Sequence, residues 1–271
     1  MPQNILHEIL EAKRKDVAEL YRRADLAIWR AEAEAAPRPR NFFTAVAKRP
    51  CRLMNLIAEV KRASPSAGVI CRNFDPPAIA RRYAAAGADA VSVVTDEKYF
   101  QGHLDHLRAV HDAVDLPVLR KDFIIDPVQI YESRAAGADA ILLIAAALPV
   151  GQLSDMLILA ADLKMTALVE VHDADELLQV RSMIGFPRGG YSLLAINNRD
   201  LTTFRVDMNT TLRLAGMVSQ EVPVVSESGI KSSGDVKKLH DAGVKAVLIG
   251  ETLMRAADVS AQIDKLLGER A

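Results

Sequence analysis

The sequence predicts an α/β protein: one (β/α)8 TIM barrel with an N-terminal helical extension. Three observations predict it. Eight short, nearly all-apolar runs alternate with helical patterns between residues 56 and 267, as in a parallel sheet covered on both faces. AGADA occurs at Ala86–Ala90 and again at Ala136–Ala140, fifty residues on, with a weaker AGVKA at Ala242–Ala246. Fifty residues is two β-α units, and an even-unit repeat suits a closed barrel whose alternate strands share interior layers. Third, the 271 residues come near the ~250 typical of that barrel, which makes a second domain unnecessary. A doubly wound open sheet is the alternative, but no GxGxxG follows the first strand.

The elements follow in order. Leu6, Ile9, Leu10, Val17, Leu20 and Tyr21 recur at helical spacing among charges, which predicts an amphipathic helix over 4–23. A second, Ala- and Glu-rich helix runs to Ala36, where Pro37-Arg38-Pro39 stops it. Asn41 then caps a short helix through Val46. Residues 1–50 are therefore an extension to a single barrel domain, 1–271. The strands centre on Leu56–Val60, Ala90–Thr95, Val118–Lys121, Ala140–Ile144, Ala167–Glu170, Leu193–Asn197, Val222–Ser226 and Ala246–Ile249. Helical patterns lie over 75–86, 103–114, 127–136, 150–163, 174–183, 208–218, 233–242 and 253–267. Each AGADA copy reads as a helix end, a glycine cap and the start of the next strand.

Composition narrows the function classes. A net charge of −1 gives no global pull toward nucleic acid or membrane. Cys51 and Cys71 fit no metal or redox spacing, which suggests a reducing compartment. The six histidines contain no HExxH, and His103 and His106 have no third ligand nearby. Residues 1–25 carry charges throughout and lack an apolar targeting core. The longest uncharged apolar run, Ala140 to Val150, is too short for a bilayer. The expectation is a cytoplasmic protein.

Barrel active sites lie at the carboxyl ends of the strands, and polar residues gather at those ends. The first strand carries Glu59 and Lys61, two apart and hence on one side, before Ser64-Pro65-Ser66 breaks it. The third ends in RKDF, with Lys121 and Phe123; the fifth at Glu170, followed by His172; the sixth in INNRDL, with Asn197 and Arg199. The seventh ends in SESGI and the eighth in IGETLM. Singly, each has a plainer reading. Glu59 and Lys61 fit a structural ion pair, Lys121 an exposed strand edge, Glu170 a partner of some arginine, Asn197 and Arg199 a turn. His172 fits a supporting or surface position. Phe100 and Phe123 fit either core or substrate platform. Together they put buried-type charges at one end of at least four strands. Gly229 and Gly250, with Ser228, add a phosphate argument: the loops after strands seven and eight bind phosphate in this fold, and glycine lets backbone N–H groups approach an anion.

With these residues in view, the chain resembles the indole-3-glycerol-phosphate synthases of tryptophan biosynthesis. IAEVKRASPSAG, KDFIIDPVQIYESRAAGADAILLI, ALVEVHD, INNRDL, ESGI and IGETLM stand in the family's order and spacing across residues 55–255. The helical extension is a further mark of that family. The resemblance implies a carboxy-lyase that closes a pyrrole ring on 1-(2-carboxyphenylamino)-1-deoxyribulose 5-phosphate, losing carbon dioxide and water, with no metal or organic cofactor. It implies Lys121 as general acid on the substrate carbonyl and Glu170 as proton-transfer partner in the dehydration. Glu59, Lys61, Asn197 and Ser228 complete the implied catalytic set. Ser64 and Arg199 match substrate contacts; Gly229, Gly250 and Glu251 match the phosphate cradle; Phe100, Phe123, Leu142 and Leu201 match the apolar wall around the aromatic ring. The implied partner is a phosphorylated small molecule, with no nucleic acid and no membrane, and a monomer or weak homodimer as the assembly. A lysine acting as an acid is expected to have its pKa lowered by burial and cationic neighbours.

Ala67 stands where many relatives carry lysine, so weaker electrostatic attraction is expected. Ala195 replaces a usual glycine, and the lead-in Phe186–Tyr191 leaves the sixth strand's register open. Two other classes remain in view. A phosphosugar isomerase or imine-forming aldolase would use a strand lysine such as Lys121, and a trapped borohydride adduct would identify the aldolase. A non-catalytic phosphate-binding barrel would be expected to have lost part of the set Glu59, Lys61, Lys121 and Glu170.

Overall fold

The computed structural model describes residues 5–185, 189–200, 203, 205–219 and 221–270. Eight parallel strands close into a barrel: β1 (Asn55–Val60), β2 (Ala90–Val94), β3 (Val118–Lys121), β4 (Ala140–Ile144), β5 (Thr166–Val171), β6 (Ser192–Asn197), β7 (Val224–Glu227) and β8 (Ala246–Ile249). Each pairs with its neighbours in chain order, and β8 closes on β1. The sixth strand's register is defined: Ser192 pairs with Ala167 on one side, and Leu194 with Val224 on the other. The seventh strand starts two residues later than its apolar run, because Pro223 has no N–H to give a ladder.

The AGADA repeat has a direct physical role. Gly87 and Gly137 turn the chain at positive φ, +82° and +90°, which glycine adopts without a Cβ clash. The aspartate two residues later then reaches across to the preceding strand. Asp89 accepts the Leu56 N–H at 2.9 Å and Asp139 the Val118 N–H at 2.8 Å. Each copy thus satisfies a backbone donor at the amino end of an odd-numbered strand.

Alternate residues of every strand face inward. Ile57, Leu119, Leu168 and Val225, from β1, β3, β5 and β7, belong to one apolar cluster inside the barrel, together with Leu142, Ala195 and Leu248 of the even strands. The next inward position on the odd strands, two residues on, is Glu59, Lys121, Glu170 and Glu227. Strand phase therefore sets four ionisable side chains as the top layer of the barrel, above a dry floor.

The extension covers both mouths. Helix α1 (Ile5–Arg23) lays Leu6 and Ile9 on the inner cluster from the carboxyl-end side. Helix α2 (Leu26–Ala35) runs down the outside against α7 (Pro127–Ala135), with Trp29, Leu20 and Val128 packed together. Helix α3 (Phe42–Ala47), capped by Asn41 as its sequence predicts, pushes fully buried Phe42 and Val46 into the opposite mouth. Burying a side chain such as Phe42 contributes about 1.5–3 kcal/mol. Asn55, the first residue of β1, holds the end of α3 through the Val46 and Lys48 carbonyls at 2.7 and 2.9 Å.

The outer helices follow the expected positions, and one pattern is divided. The last helical pattern is two helices, α12 (Glu251–Met254) and α13 (Val259–Leu267), separated where Asp258 caps the second by accepting from Ala261 N–H. Two small elements decorate the top: a hairpin of Ala63–Ser64 with Gly68–Val69, and the one-turn helix α5 (Glu97–Phe100). Among the described residues no helix is long and apolar enough to cross a membrane.

Candidate active site

The top layer opens into a cleft of about 660 Å³, within the ~300–1,000 Å³ range of small-molecule sites. Its lining contains Glu59, Lys61, Ser64, Phe100, Lys121, Phe123, Leu142, Glu170, Asn197, Arg199, Ser228, Gly229, Gly250 and Glu251. Every site residue expected from the sequence therefore converges on one cavity, except Leu201, which lies outside the described residues.

Lys121 is the hub. Its Nζ stands 3.0 Å from Glu170 Oε2 and 3.1 Å from Glu227 Oε2, and the two carboxylates are almost fully buried. Glu59 is bound instead by Lys61, which sits on the same side of the chain end. That pairing is the ion pair read as the plainer alternative, but it lines the cleft rather than the packed core.

Charge sharing divides the carboxylates. Burial alone would push the Glu170 carboxyl up, yet Lys121 and then His172 outweigh it and hold it well below the usual range. Among the described residues Glu227 has no second cation. Burial raises its pKa to about 8 against the pull of Lys121, and the adjacent Glu170 carboxylate adds to the rise. One ammonium cannot keep two desolvated carboxylates ionised, so near neutral pH Glu170 keeps its charge and Glu227 holds a proton. Glu59 is held low, with Lys61 and then Lys121 overcoming its burial.

The expected depression of Lys121 is overturned. Burial acts in that direction, but Glu170, Glu227 and Glu59 all face the ammonium and raise its pKa well above the ordinary lysine value. The neighbours that matter are anions on β5, β7 and β1, not cations.

His172 also differs from a surface reading. Its side chain is largely buried, with Nε2 3.1 Å from Glu170 Oε1 and Nδ1 3.1 Å from Glu176 Oε2. The approach to Glu170 is an ion contact rather than a straight hydrogen bond. The two carboxylates outweigh burial and raise the imidazole pKa to about 10.

The INNRDL run both positions and faces the cleft. Asn197 Oδ1 accepts the Arg199 N–H at 3.0 Å, the turn its sequence suggests, and Arg199 reaches Ser66 Oγ at 3.1 Å. Asn198 is a buried connector. Its Nδ2 donates to Ser226 Oγ, the Glu227 carbonyl and the Ser228 carbonyl, at 3.0–3.1 Å, while its Oδ1 accepts from Thr211. The sixth and seventh strand ends are thereby locked together.

Opposite the lysine, Ser228 and Gly229 both take left-handed backbone, φ +67° and +82°. For serine this is a sparsely populated conformation of the kind that gathers at functional sites. Gly250 serves space rather than φ. A Cβ there would fall 3.0 Å from Glu59 Cδ and closer still to its Oε1. Phe100 and Phe123 form the side wall, ring centroids 6.2 Å apart, over Leu142. Among the described residues no group of three or more His, Cys, Asp or Glu is arranged to hold a metal ion.

Sequence reasoning missed Glu227 although it lies inside SESGI. The signal was there: Val225 and Glu227 repeat the apolar-then-charged step of Ile57/Glu59, Leu119/Lys121 and Leu168/Glu170. It also missed Ile5, Leu6 and Ile9 of α1, which line the cleft.

Comparison with known proteins gives a consistent result. Residues 6–266 match the family described as "Indole-3-glycerol phosphate synthase". An indole-3-glycerol phosphate synthase of Geobacillus kaustophilus is 47% identical over 98% of this chain and 97% of its own length. That of Desulfotalea psychrophila is 47% identical over 96% and 98%. Among solved structures, a thiamine phosphate pyrophosphorylase from Pyrococcus furiosus superposes with a TM-score of 0.57 at 16% identity, covering 80% of this chain and 95% of that one. An N-acetylmannosamine-6-phosphate 2-epimerase from Clostridium perfringens gives the same TM-score and identity over 84% and 97%. These two likenesses concern the fold alone.

Proposed function

The chain belongs to the indole-3-glycerol phosphate synthase family, and from that premise we propose that Glu59, Lys121, Glu170 and Glu227 are its acid–base centre. The family reaction is a decarboxylating ring closure in tryptophan biosynthesis, which converts 1-(2-carboxyphenylamino)-1-deoxyribulose 5-phosphate to indole-3-glycerol phosphate. The observation that carries the assignment is the position of Lys121 Nζ, 3.0 and 3.1 Å from Glu170 and Glu227, facing a cleft with glycine loops on its far side.

In this reading the ring carbon bonds to the carbonyl carbon, and Lys121 delivers a proton to the carbonyl oxygen. A developing alkoxide is more basic than an amine, so a lysine held protonated still serves. Protonated Glu227, 3.1 Å away, can then restore the ammonium. Carbon dioxide leaves with rearomatisation, the restored Lys121 ammonium protonates the new hydroxyl so that it departs as water, and ionised Glu170 takes a proton from the adjacent CH2 of the new ring, which it can return to the lysine 3.0 Å away. A positioned acid or base is worth roughly 10²–10⁴ in rate. Lys61 and Arg199 meet the substrate's anionic groups; Ser64, Asn197 and Ser228 orient it. Backbone N–H groups at Gly229, Gly250 and Glu251 hold the phosphate, and Phe100, Phe123, Leu142 and Leu201 hold the aromatic ring. Anchoring both ends folds the flexible substrate for ring closure.

The same reading takes residues 1–271 as one domain, acting in the cytoplasm as a monomer or weak homodimer; sedimentation tests the assembly. The reaction is tested by incubating the chain with the anthranilate-ribulose phosphate and following indole fluorescence. Lys121→Met should abolish most turnover while inorganic phosphate still binds. Unchanged turnover refutes the role of Lys121.

A further inference from the structure

Lys13 lies on α1, outside the cleft, in a stretch whose polar residues otherwise face solvent. Its ammonium is buried, 2.9 Å from Asp96 Oδ2 and 2.9 Å from Asp122 Oδ1; exposed Asp16 is 3.4 Å away. Both buried carboxylates belong to chain segments that build the cleft. Asp96 caps α5 by accepting the Tyr99 N–H at 2.8 Å, and α5 ends at Phe100. Asp122 follows Lys121 and accepts the Phe123 N–H at 2.8 Å. Its other oxygen accepts from Thr95 Oγ1 at 2.6 Å and Arg120 Nη2 at 3.1 Å. One amine thus joins three elements: α1, the helix that presents Phe100, and the strand end that presents Lys121 and Phe123.

We propose that Lys13 is a positioning residue of the active site, setting the spacing of the Phe100–Phe123 wall and docking α1 over it. The proposal rests on the reading of that wall as the seat of the substrate's aromatic ring. Two further observations support it. Asp122 is held far below the usual carboxylate range: burial opposes this, but Lys13, followed by Arg120, outweighs it. And α1 itself adds Ile5, Leu6 and Ile9 to the cleft, so loosening its clamp opens the apolar side of the site. The phosphate side, on the loops after β7 and β8, makes none of these contacts. A clamp on one wall should therefore alter the grip on the ring and leave the grip on phosphate intact, whereas a plain structural tether would lower stability alone.

The test uses the full chain with Lys13→Met, folding checked by circular dichroism. It measures KM and kcat for the anthranilate-ribulose phosphate, and Ki for inorganic phosphate as competitor. The expected result is a KM raised about tenfold, a loss of ~1.4 kcal/mol in substrate binding, with Ki for phosphate within about twofold of native. A folded variant with native KM overturns the proposal, as does a KM and Ki that rise together. Should Lys13→Met not fold, Asp96→Asn carries the same criteria, since asparagine caps α5 as well as aspartate does and only the charge facing Lys13 is lost. Native KM in a folded Phe100→Ala enzyme would instead overturn the underlying reading of the wall, so the two failures are distinguishable.

Discussion

Replacing Gly250 by alanine separates two reasons for a glycine at the end of β8. The backbone there has φ −114°, open to any residue, so the obstacle is space. The added Cβ would stand 3.0 Å from Glu59 Cδ and 3.2 Å from its Cβ, where nonbonded carbons prefer ~3.5–4.0 Å. Glu59 is tied to Lys61 at the cleft wall, so its carboxylate can give way only by moving into the cleft and disturbing that pair. Its Oε1 would lie closer still, so the carboxylate has to retreat by about 1 Å to reach ordinary contact. Overpacking of this kind costs about 1–3 kcal/mol, which for a chain of this size lowers Tm by several degrees. A ~1 Å misplacement of a reacting group costs about 10²-fold in rate. We therefore expect Gly250→Ala to fold, melt somewhat earlier, and lose about two orders of magnitude in kcat by indole fluorescence. The Ki for inorganic phosphate should change by far less. Native kcat combined with a large rise in phosphate Ki would refute the reasoning: the glycine would then serve the anion and not Glu59.

Three other substitutions probe the charge layer. Glu170→Gln should slow turnover by about 10²-fold or more while its melt stays cooperative; a collapsed melt would make Glu170 structural. His172→Asn removes the second cation on Glu170, whose pKa then rises, so the acidic limb of the pH–kcat profile should move to higher pH; an unmoved limb would detach His172 from Glu170. Glu227 has a folded pKa of about 8 against an ordinary 4.5, so the folded state binds the extra proton between those values. Its contribution to stability is full below pH 4.5 and declines as pH rises through 8, by up to a few kcal/mol. In Glu227→Gln the Tm–pH slope across that window should flatten; an unchanged slope would place the proton elsewhere.

The barrel was legible because its signals are local. Apolar runs of four to six residues, glycine turns and the AGADA aspartates each act within one or two β-α units. Two helices end about three residues before their sequence patterns do, at Val180 and Ala215, and the last pattern divides where Asp258 caps a new start. The site was legible wherever a residue stood in a strand-end motif. What sequence reading lost was long-range electrostatics. Lys13 looks like any polar-face lysine of an amphipathic helix; its partners Asp96 and Asp122 are 83 and 109 positions away. The sign of the Lys121 shift failed for the same reason. The expectation considered nearby lysines, whereas three carboxylates arrive from β1, β5 and β7. Glu227 was readable from strand phase, and was passed over because its neighbours Ser228 and Gly229 suggested phosphate.

The proton count of the reaction accounts for the excess of acid in that layer. The substrate carboxylate leaves as neutral carbon dioxide and the hydroxyl as water, so each turnover consumes one proton. If Glu59, Glu170, Glu176 and Glu227 were all ionised, Lys61, Lys121 and the His172 imidazolium would leave the layer with one unmatched negative charge. It would also have no proton in reserve other than those of the cations. With Glu227 protonated, three carboxylates match three cations, and the stored proton lies beside the lysine proposed to spend its own. Had burial depressed Lys121 instead, the neutral amine would have left carboxylates unpaired in a site that must accept a phosphate and a further carboxylate. An ammonium kept charged by its neighbours, with a neutral acid at 3.1 Å, lets the site bind an anionic substrate and still donate. On the proposed reading, reloading is a transfer from the cleft to Glu227, on β7 beside the loops proposed to hold phosphate.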